Sequence, residues 1–284
     1  LSKKPVKKSV KKNAKQKSVK KSAVKTGVKK SGSKTSMKLN YAEKRNAKKH
    51  SFTSRFFAWV FKSRLFKLAV KIMVVLALIP LVLTVLYKIE YVRPMSTLML
   101  GRYLTLQEVR RDWVEIDDIS PVLINSVIMS EDGKFCSHNG VDWQALNTVI
   151  DDALEGEKTR GASTLTMQSV KNLFLWNSRS YIRKGLEVPL ALYADLVLSK
   201  RRQMEIYLNI AEWDEGVFGI EAASKLYFKR SAKKLSATQA SLLTVTLPNP
   251  KGRNAAKPTK SMRRVARVVA KRAKKSGFYV ACTK

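Results

Sequence analysis

The sequence predicts a mainly α-helical domain carried behind a single N-terminal transmembrane helix. Three observations predict it: a lysine-rich opening stretch that cannot form a core, one long apolar run from Leu65 to Tyr87, and a remainder whose apolar residues recur at intervals of three and four.

Residues 1–64 hold 22 Lys or Arg against one acid, Glu43, and so carry +21 of the chain's net +35. No aromatic residue precedes Tyr41. Such a segment cannot bury enough apolar surface to offset its chain entropy, and a disordered arm is expected. Within it, Ser22 to Lys25 and Lys25 to Gly27 echo penicillin-binding signatures by chance, since no domain surrounds them.

The stretch 65–87 reaches roughly 34 Å as a helix, enough to cross a hydrocarbon core of ~30 Å. Ile72 to Tyr87 contains no charge, Lys67 and Lys71 sit in the first two turns where long side chains reach headgroups, and a spanning helix tolerates Pro80. The run is too long, and the basic region before it too extended, for a cleaved signal peptide. Dense positive charge before the span places the arm in the cytoplasm and everything from about Ile89 onward outside.

The outer region is of single-domain size. Helical periodicity runs through Pro121 to Glu131, Trp143 to Leu154, Thr164 to Leu175, Ser180 to Leu198, Arg201 to Ile210 and Ala237 to Leu247. Loops are expected at 132–140, 156–162, 212–219 and 248–258, where Gly, Pro and polar residues gather. From Lys251 to Lys275 there are eleven Lys or Arg and no acid, and Val265, Val268 and Val269 are close enough to share one face of a basic helix. That helix either lies against anionic headgroups or is simply solvated.

Much chemistry is excluded. Two cysteines, Cys136 and Cys282, make no disulfide framework, and two free thiols are the ordinary expectation although an oxidising compartment would permit a bridge. Of two histidines, His50 lies in the arm, so an outer site has only His138, too few for a multi-histidine metal centre. No dinucleotide loop or P-loop appears. Catalysis is left to carboxylates backed by cations and amides.

Glu131 follows the apolar repeat Ile124, Val127, Ile128 on the same helical face. A carboxylate at a helix C-terminus meets the negative end of the dipole and loses water on its apolar side, and both raise its pKa toward that of a general base. Gly161 to Asn172 reads as a small-residue loop entering a helix, with Ser163 a natural N-cap and Thr164, Gln168 and Lys171 on one face, an arrangement suited to an anion. Arg179, Arg183 and Glu187 follow at four-residue intervals with Lys184 beside them. Such spacing is either an ordinary surface Arg-to-Glu pairing or, taken with Lys171, a cationic strip able to hold a pyrophosphate, the carboxylate orienting it or sharing a divalent metal.

In their order and spacing these pieces resemble the family 51 glycosyltransferases, the peptidoglycan polymerases, and among them the monofunctional biosynthetic transglycosylases. The likeness runs from about Trp113 to Pro250. It rests on Glu131-Asp132-x-x-Phe135-x-x-His138-x-Gly140-x-Asp142, the Gly161-Ala-Ser-Thr164 loop through Gln168, Lys171 and Asn172, Arg183-Lys184-x-x-Glu187, Tyr207-Leu208-Asn209 with Gly216, Phe218 and Gly219, and Ala240-x-Leu242-Leu243 with Leu247-Pro248-x-Pro250.

The resemblance implies a lysozyme-like glycosyltransferase domain at 88–250, ahead of a basic segment at 251–284. It implies polymerisation of lipid II into β-1,4 glycan, with release of undecaprenyl pyrophosphate. Glu131 would be the base that deprotonates the acceptor 4-hydroxyl, and Glu187 the second essential carboxylate. Lys171, Arg179, Arg183 and Lys184 would contact the donor pyrophosphate, and Ser163, Thr164, Gln168 and Asn172 would shape the cleft beside Asp132, Phe135 and His138. A divalent cation, usually magnesium, is implied as cofactor. The implied partners are lipid II, the growing strand, the membrane and other cell-wall synthesis or division proteins; nucleic acid is not expected. The sequence departs from the family pattern at Met167, where a polar residue is usual. Two rival readings are a lysozyme-like enzyme that cleaves glycan and a non-enzymatic, membrane-tethered binder of anionic polymers acting through the arm.

Overall fold

The computed structural model describes residues 63–156, 161–178 and 180–284. The arm, including His50 and the Ser-Lys pairs, therefore lies outside the described residues, as does Arg179. Contacts divide the chain into two compact units, 1–68 and 69–284. Of the first unit the described part is residues 63–68, which hold the opening turn of a helix.

That helix, α1 (Arg64–Leu86), is long and apolar enough to cross a membrane. Its side chains are mostly exposed, as for a helix whose partner is lipid. Its last turns dock on the domain. Thr84 is buried and donates to Pro80 O at 2.7 Å, Tyr193 OH donates to Leu81 O at 3.4 Å, and Tyr87 stacks on Phe174 with ring centroids 6.1 Å apart.

The domain is built from α2 (Thr97–Leu104), α3 (Pro121–Glu131), α4 (Trp143–Leu154), α5 (Leu165–Phe174), α6 (Tyr181–Val197), α7 (Lys200–Ile210), α8 (Ile220–Phe228), α9 (Ala237–Thr246) and α10 (Lys260–Lys274). Local chemistry starts most of them. Proline stands at the N1 position of α3, where its missing N–H costs nothing. Side-chain caps from Thr164, Ser180, Ser199 and Thr259 open α5, α6, α7 and α10, and Ser236 with Gln239 forms a capping box on α9.

The axis of the domain is α7, buried along every position from Arg202 to Ile210. A helix surrounded on all sides must satisfy its polar side chains internally. Asn209 accepts from Val114 N at 3.0 Å and donates to Val114 O at 2.9 Å, and Gln203 accepts from Thr166 Oγ1 at 2.7 Å. Arg202 pairs with Glu205 and donates to the carbonyls of Tyr87, Ile89 and Val92, fastening the chain that leaves α1 to the centre of the domain.

Three expectations change here. Residues 212–219, read as a loop, form a hairpin of β2 (Glu212–Asp214) and β3 (Val217–Phe218), and β1 (Arg110–Arg111) joins β3 in parallel to give the order β1-β3-β2. Strands of two or three residues are too short to show an alternating pattern. The turn needs Gly216, whose φ is +72° and where a Cβ would meet Glu108 O at 2.8 Å.

The basic stretch after Pro250 is no separate segment either. Met262, Ala266, Val269 and Ala273 of α10 are buried, the first three in one core cluster with residues of α3 and α9. Val265 and Val268, expected to share a face with Val269, are instead 45% and 47% exposed. Small alanines mark the buried stripe, which a search for large apolar residues passes over.

The cysteines, finally, are not free. Cys136 and Cys282 form a disulfide across 146 positions, with Cα atoms 5.5 Å apart, tying the loop after α3 to the closing 3₁₀ turn Gly277–Thr283. Sequence distance hid a proximity that the packing of α10 creates.

Candidate active site

Glu131 is the last residue of α3, and its carboxylate reaches toward α5. Gln168 Nε2 donates to Glu131 Oε2 at 3.3 Å, and Ser130 Oγ donates to Oε1 at 3.4 Å. Burial pushes the Glu131 carboxyl above the usual carboxylate range, with a small push from Asp132; the two hydrogen bonds and the charge of Arg253 oppose it. A base that is destabilised as an anion yet still hydrogen-bonded as one is suited to take a proton.

The Gln168 amide is held from its other end by Tyr207, whose hydroxyl donates to Gln168 Oε1 at 3.1 Å. Beside this chain lies a cavity of about 260 Å³, lined by Gln168, Lys171 and Asn172 of α5, by Tyr207 of α7, and by Leu247 and Pro248 after α9. Burial lowers the pKa of Lys171, and the charges of Arg183 and Lys184 push the same way against the pull of Glu187. A partly dehydrated ammonium facing a polar cavity binds an anion more strongly than one in water does.

One turn behind that wall, Glu187 is only 2% exposed. Arg183 takes one of its oxygens, and Lys184 Nζ takes the other at 2.9 Å. Lys184 also donates to Ser163 Oγ at 2.6 Å. Both oxygens of Glu187 thus point at cations, and among the described residues no group of three or more His, Cys, Asp or Glu gathers that could hold a metal. The residues present do not fit a divalent ion caged by protein ligands.

A family model described as Transglycosylase matches residues 98–274. The chain belongs to the transglycosylase family. Proteins named biosynthetic peptidoglycan transglycosylase resemble this transglycosylase over most of its length. That of Brucella suis biovar 1 (strain 1330) is 64% identical over 216 residues, covering 76% of this chain and 96% of the relative. That of Mesorhizobium japonicum (strain LMG 29417 / CECT 9101 / MAFF 303099) is 59% identical over 209 residues, 73% of this chain and 89% of the relative. That of Rhizobium meliloti (strain 1021) is 57% identical over 205 residues, 72% of this chain and 87% of the relative. The family match extends through α10, consistent with the packing of that helix into the core.

The transglycosylase fold brings together Glu131, Gln168, Lys171 and Asn172 and sorts the other expected residues into a supporting layer. Asp132 is buried, accepts from Leu165 N at 2.9 Å and binds His138 Nε2 at 2.9 Å, so both side chains fix the loop after Glu131 to the start of α5. Phe135 is fully buried in the core. Thr164, not Ser163, caps α5: it accepts from Met167 N at 3.1 Å and donates to Gly140 O at 2.6 Å. Gly140 itself must be glycine, with φ +79° and a hypothetical Cβ 2.5 Å from Ala191 O. Of the expected residues, Gln168, Lys171 and Asn172 line the cavity; Glu131 adjoins it through Gln168, and Asp132, Phe135, His138, Ser163, Thr164, Arg183, Lys184 and Glu187 do not line it.

Met167 does not line the cavity: it packs in a small cluster with Val141, Val170, Ala191 and Ala194, and its Sδ accepts from Lys184 Nζ at 4.0 Å. Two participants went unassigned in the sequence. Tyr207 was visible only as part of a motif, and Arg253 sat among loop residues; neither has a local spacing that marks it, because each meets Glu131 only through the fold.

Proposed function

We propose that this transglycosylase polymerises lipid II into β-1,4 glycan at the outer face of the cytoplasmic membrane. The observation that carries the reading is the placement of a half-buried, hydrogen-bonded carboxylate, Glu131, one hydrogen bond from the helix whose Lys171 faces the neighbouring cavity.

Glu131 removes the proton from the acceptor 4-hydroxyl as that oxygen bonds to the donor's anomeric carbon. The bond to pyrophosphate breaks on the opposite side, and undecaprenyl pyrophosphate departs with its electron pair. One displacement converts an α-linked donor into a β-linked product, so no covalent enzyme intermediate is required. Lys171 receives the charge that develops on the leaving group. Glu187 holds Arg183 and Lys184 behind it and keeps the local field from becoming uniformly positive. Magnesium, implied by the family resemblance, would in this reading sit with the substrate pyrophosphate and not in a protein cage.

Two features favour the orientation with the domain outside the cell. The lysine-rich segment precedes α1, and a disulfide joins Cys136 to Cys282, as suits an oxidising compartment. A lipid-linked substrate also gives the anchor a purpose, since it confines both molecules to one surface.

Purified full chain in detergent with lipid II should yield a polymer that muramidase digests, and Glu131→Gln should abolish it while leaving the circular dichroism spectrum unchanged. A protein that shortens preformed glycan and makes no polymer would establish the hydrolase reading instead.

A further inference from the structure

A primary amide has a donor end and an acceptor end of nearly equal shape, so a glutamine beside a catalytic carboxylate is useful only when something decides which end faces it. Gln168 is such a residue. Its amide lies between Glu131 on one side and Tyr207 on the other, with contacts of 3.3 and 3.1 Å.

Tyr207 is 2% exposed, sits on the central helix α7, and packs its ring in the main core. Burial pushes its phenol far above the usual range, and the charge of Glu131 adds to that, so the hydroxyl keeps its proton wherever the enzyme works. It donates to Gln168 Oε1, and this leaves the NH₂ group facing Glu131. In the opposite orientation the amide carbonyl would face the carboxylate, acceptor against acceptor.

We propose that Tyr207 is a positioning residue for the polymerisation reaction: without touching a reacting atom, it holds the Gln168 amide donor-first toward Glu131 and so keeps the base ready to accept a proton. The proposal rests on the reading of Glu131 as the general base. The other groups at that carboxylate are Ser130, Asp132 and Arg253, the last anchored by its Nη1 on Val245 O at 2.7 Å. Asp132 and Arg253 act on Glu131 through charge and Ser130 bonds its other oxygen, so Tyr207 is the group that hydrogen-bonds the far end of the Gln168 amide.

The test is the pH dependence of kcat for lipid II polymerisation by the full chain in detergent, for wild type, Tyr207→Phe, Gln168→Met and the double variant. Loss of the donated hydrogen bond raises the pKa of Glu131, and a base that must be ionised then works only at higher pH. The acid limb is expected to move up by about one pH unit in each single variant, with kcat recovering toward the wild-type plateau at high pH. It should move no further in the double variant, because both changes cut the same chain. Gln168→Met leaves Tyr207 in place and must show the shift by itself, which keeps the proposal testable if Tyr207→Phe melts too low to assay. Unmoved acid limbs, or shifts that add in the double variant, overturn it. A wild-type protein that makes no polymer would refute the base reading itself, a different outcome from polymerisation with an unmoved limb.

Discussion

Replacing Glu187 by Gln removes the one negative charge from a cluster of three cations without changing its shape. The carboxylate is 2% exposed, Arg183 and Lys184 occupy its two oxygens, and their side chains are 13% and 33% exposed. Breaking a buried pair by deleting one partner costs about 3–5 kcal/mol. Arg183 keeps a second bond, from Nε to Ser178 O at 2.7 Å, and water reaches part of Lys184, so about 2–4 kcal/mol is expected. For a domain of this size that lowers the melting midpoint by roughly 5–15 °C. Turnover falls as well, because Glu187 is the charge that holds up the pKa of Lys171 against burial. Calorimetry of the detergent-solubilised protein measures the first effect and lipid II polymerisation the second. Adding Arg183→Gln should restore part of the lost stability by removing the stranded charge. A Glu187→Gln protein that melts within about 1 °C of wild type while losing all turnover would refute the supporting role and return Glu187 to direct contact with substrate.

Three other predictions follow from the same geometry. Lys171 has a lowered pKa, so its positive charge is lost as pH rises through a value below the ordinary lysine range; kcat/KM should fall there on its basic side, and Lys171→Arg should move that fall to higher pH. Cys136→Ser, or reduction of the protein, should cost about 2–5 kcal/mol in denaturant unfolding, since the bridge closes a long loop of the unfolded chain; an unchanged midpoint would show that the pairing contributes nothing. Ending the chain after Pro250 should leave a domain without cooperative unfolding, because Met262, Ala266 and Val269 fill the core between α3 and α9; a sharp melt for the shortened protein would restore the boundary that composition suggested.

What the sequence determined by itself is whatever a short window can encode. The span at 64–86, the helices from α3 to α7 and α9, and the family to which the chain belongs were legible because hydrophobic period, caps and motif spacing are local. So were Glu131 at the end of α3 and Gln168 and Lys171 on one face of α5. The tertiary structure decided which of those residues reach the cavity. Asp132, Phe135 and His138 belong to the same motif as Glu131, and Thr164 to the next one, yet they are spent on fixing the loop that follows Glu131, because a carboxylate is held near α5 only if the backbone beside it is anchored. Composition assigned the lysines and arginines of 251–275 to a surface segment, whereas Met262, Ala266, Val269 and Ala273, about a turn apart, put one face of α10 in the core. The groups that reach Glu131 from far along the chain are Gln168 and Arg253 directly and Tyr207 through Gln168, and their charge and hydrogen bonds depend on the fold bringing them close. Proximity of that kind is produced only by folding, which is why Glu131 and Gln168 could be singled out in the sequence and Tyr207 and Arg253 could not.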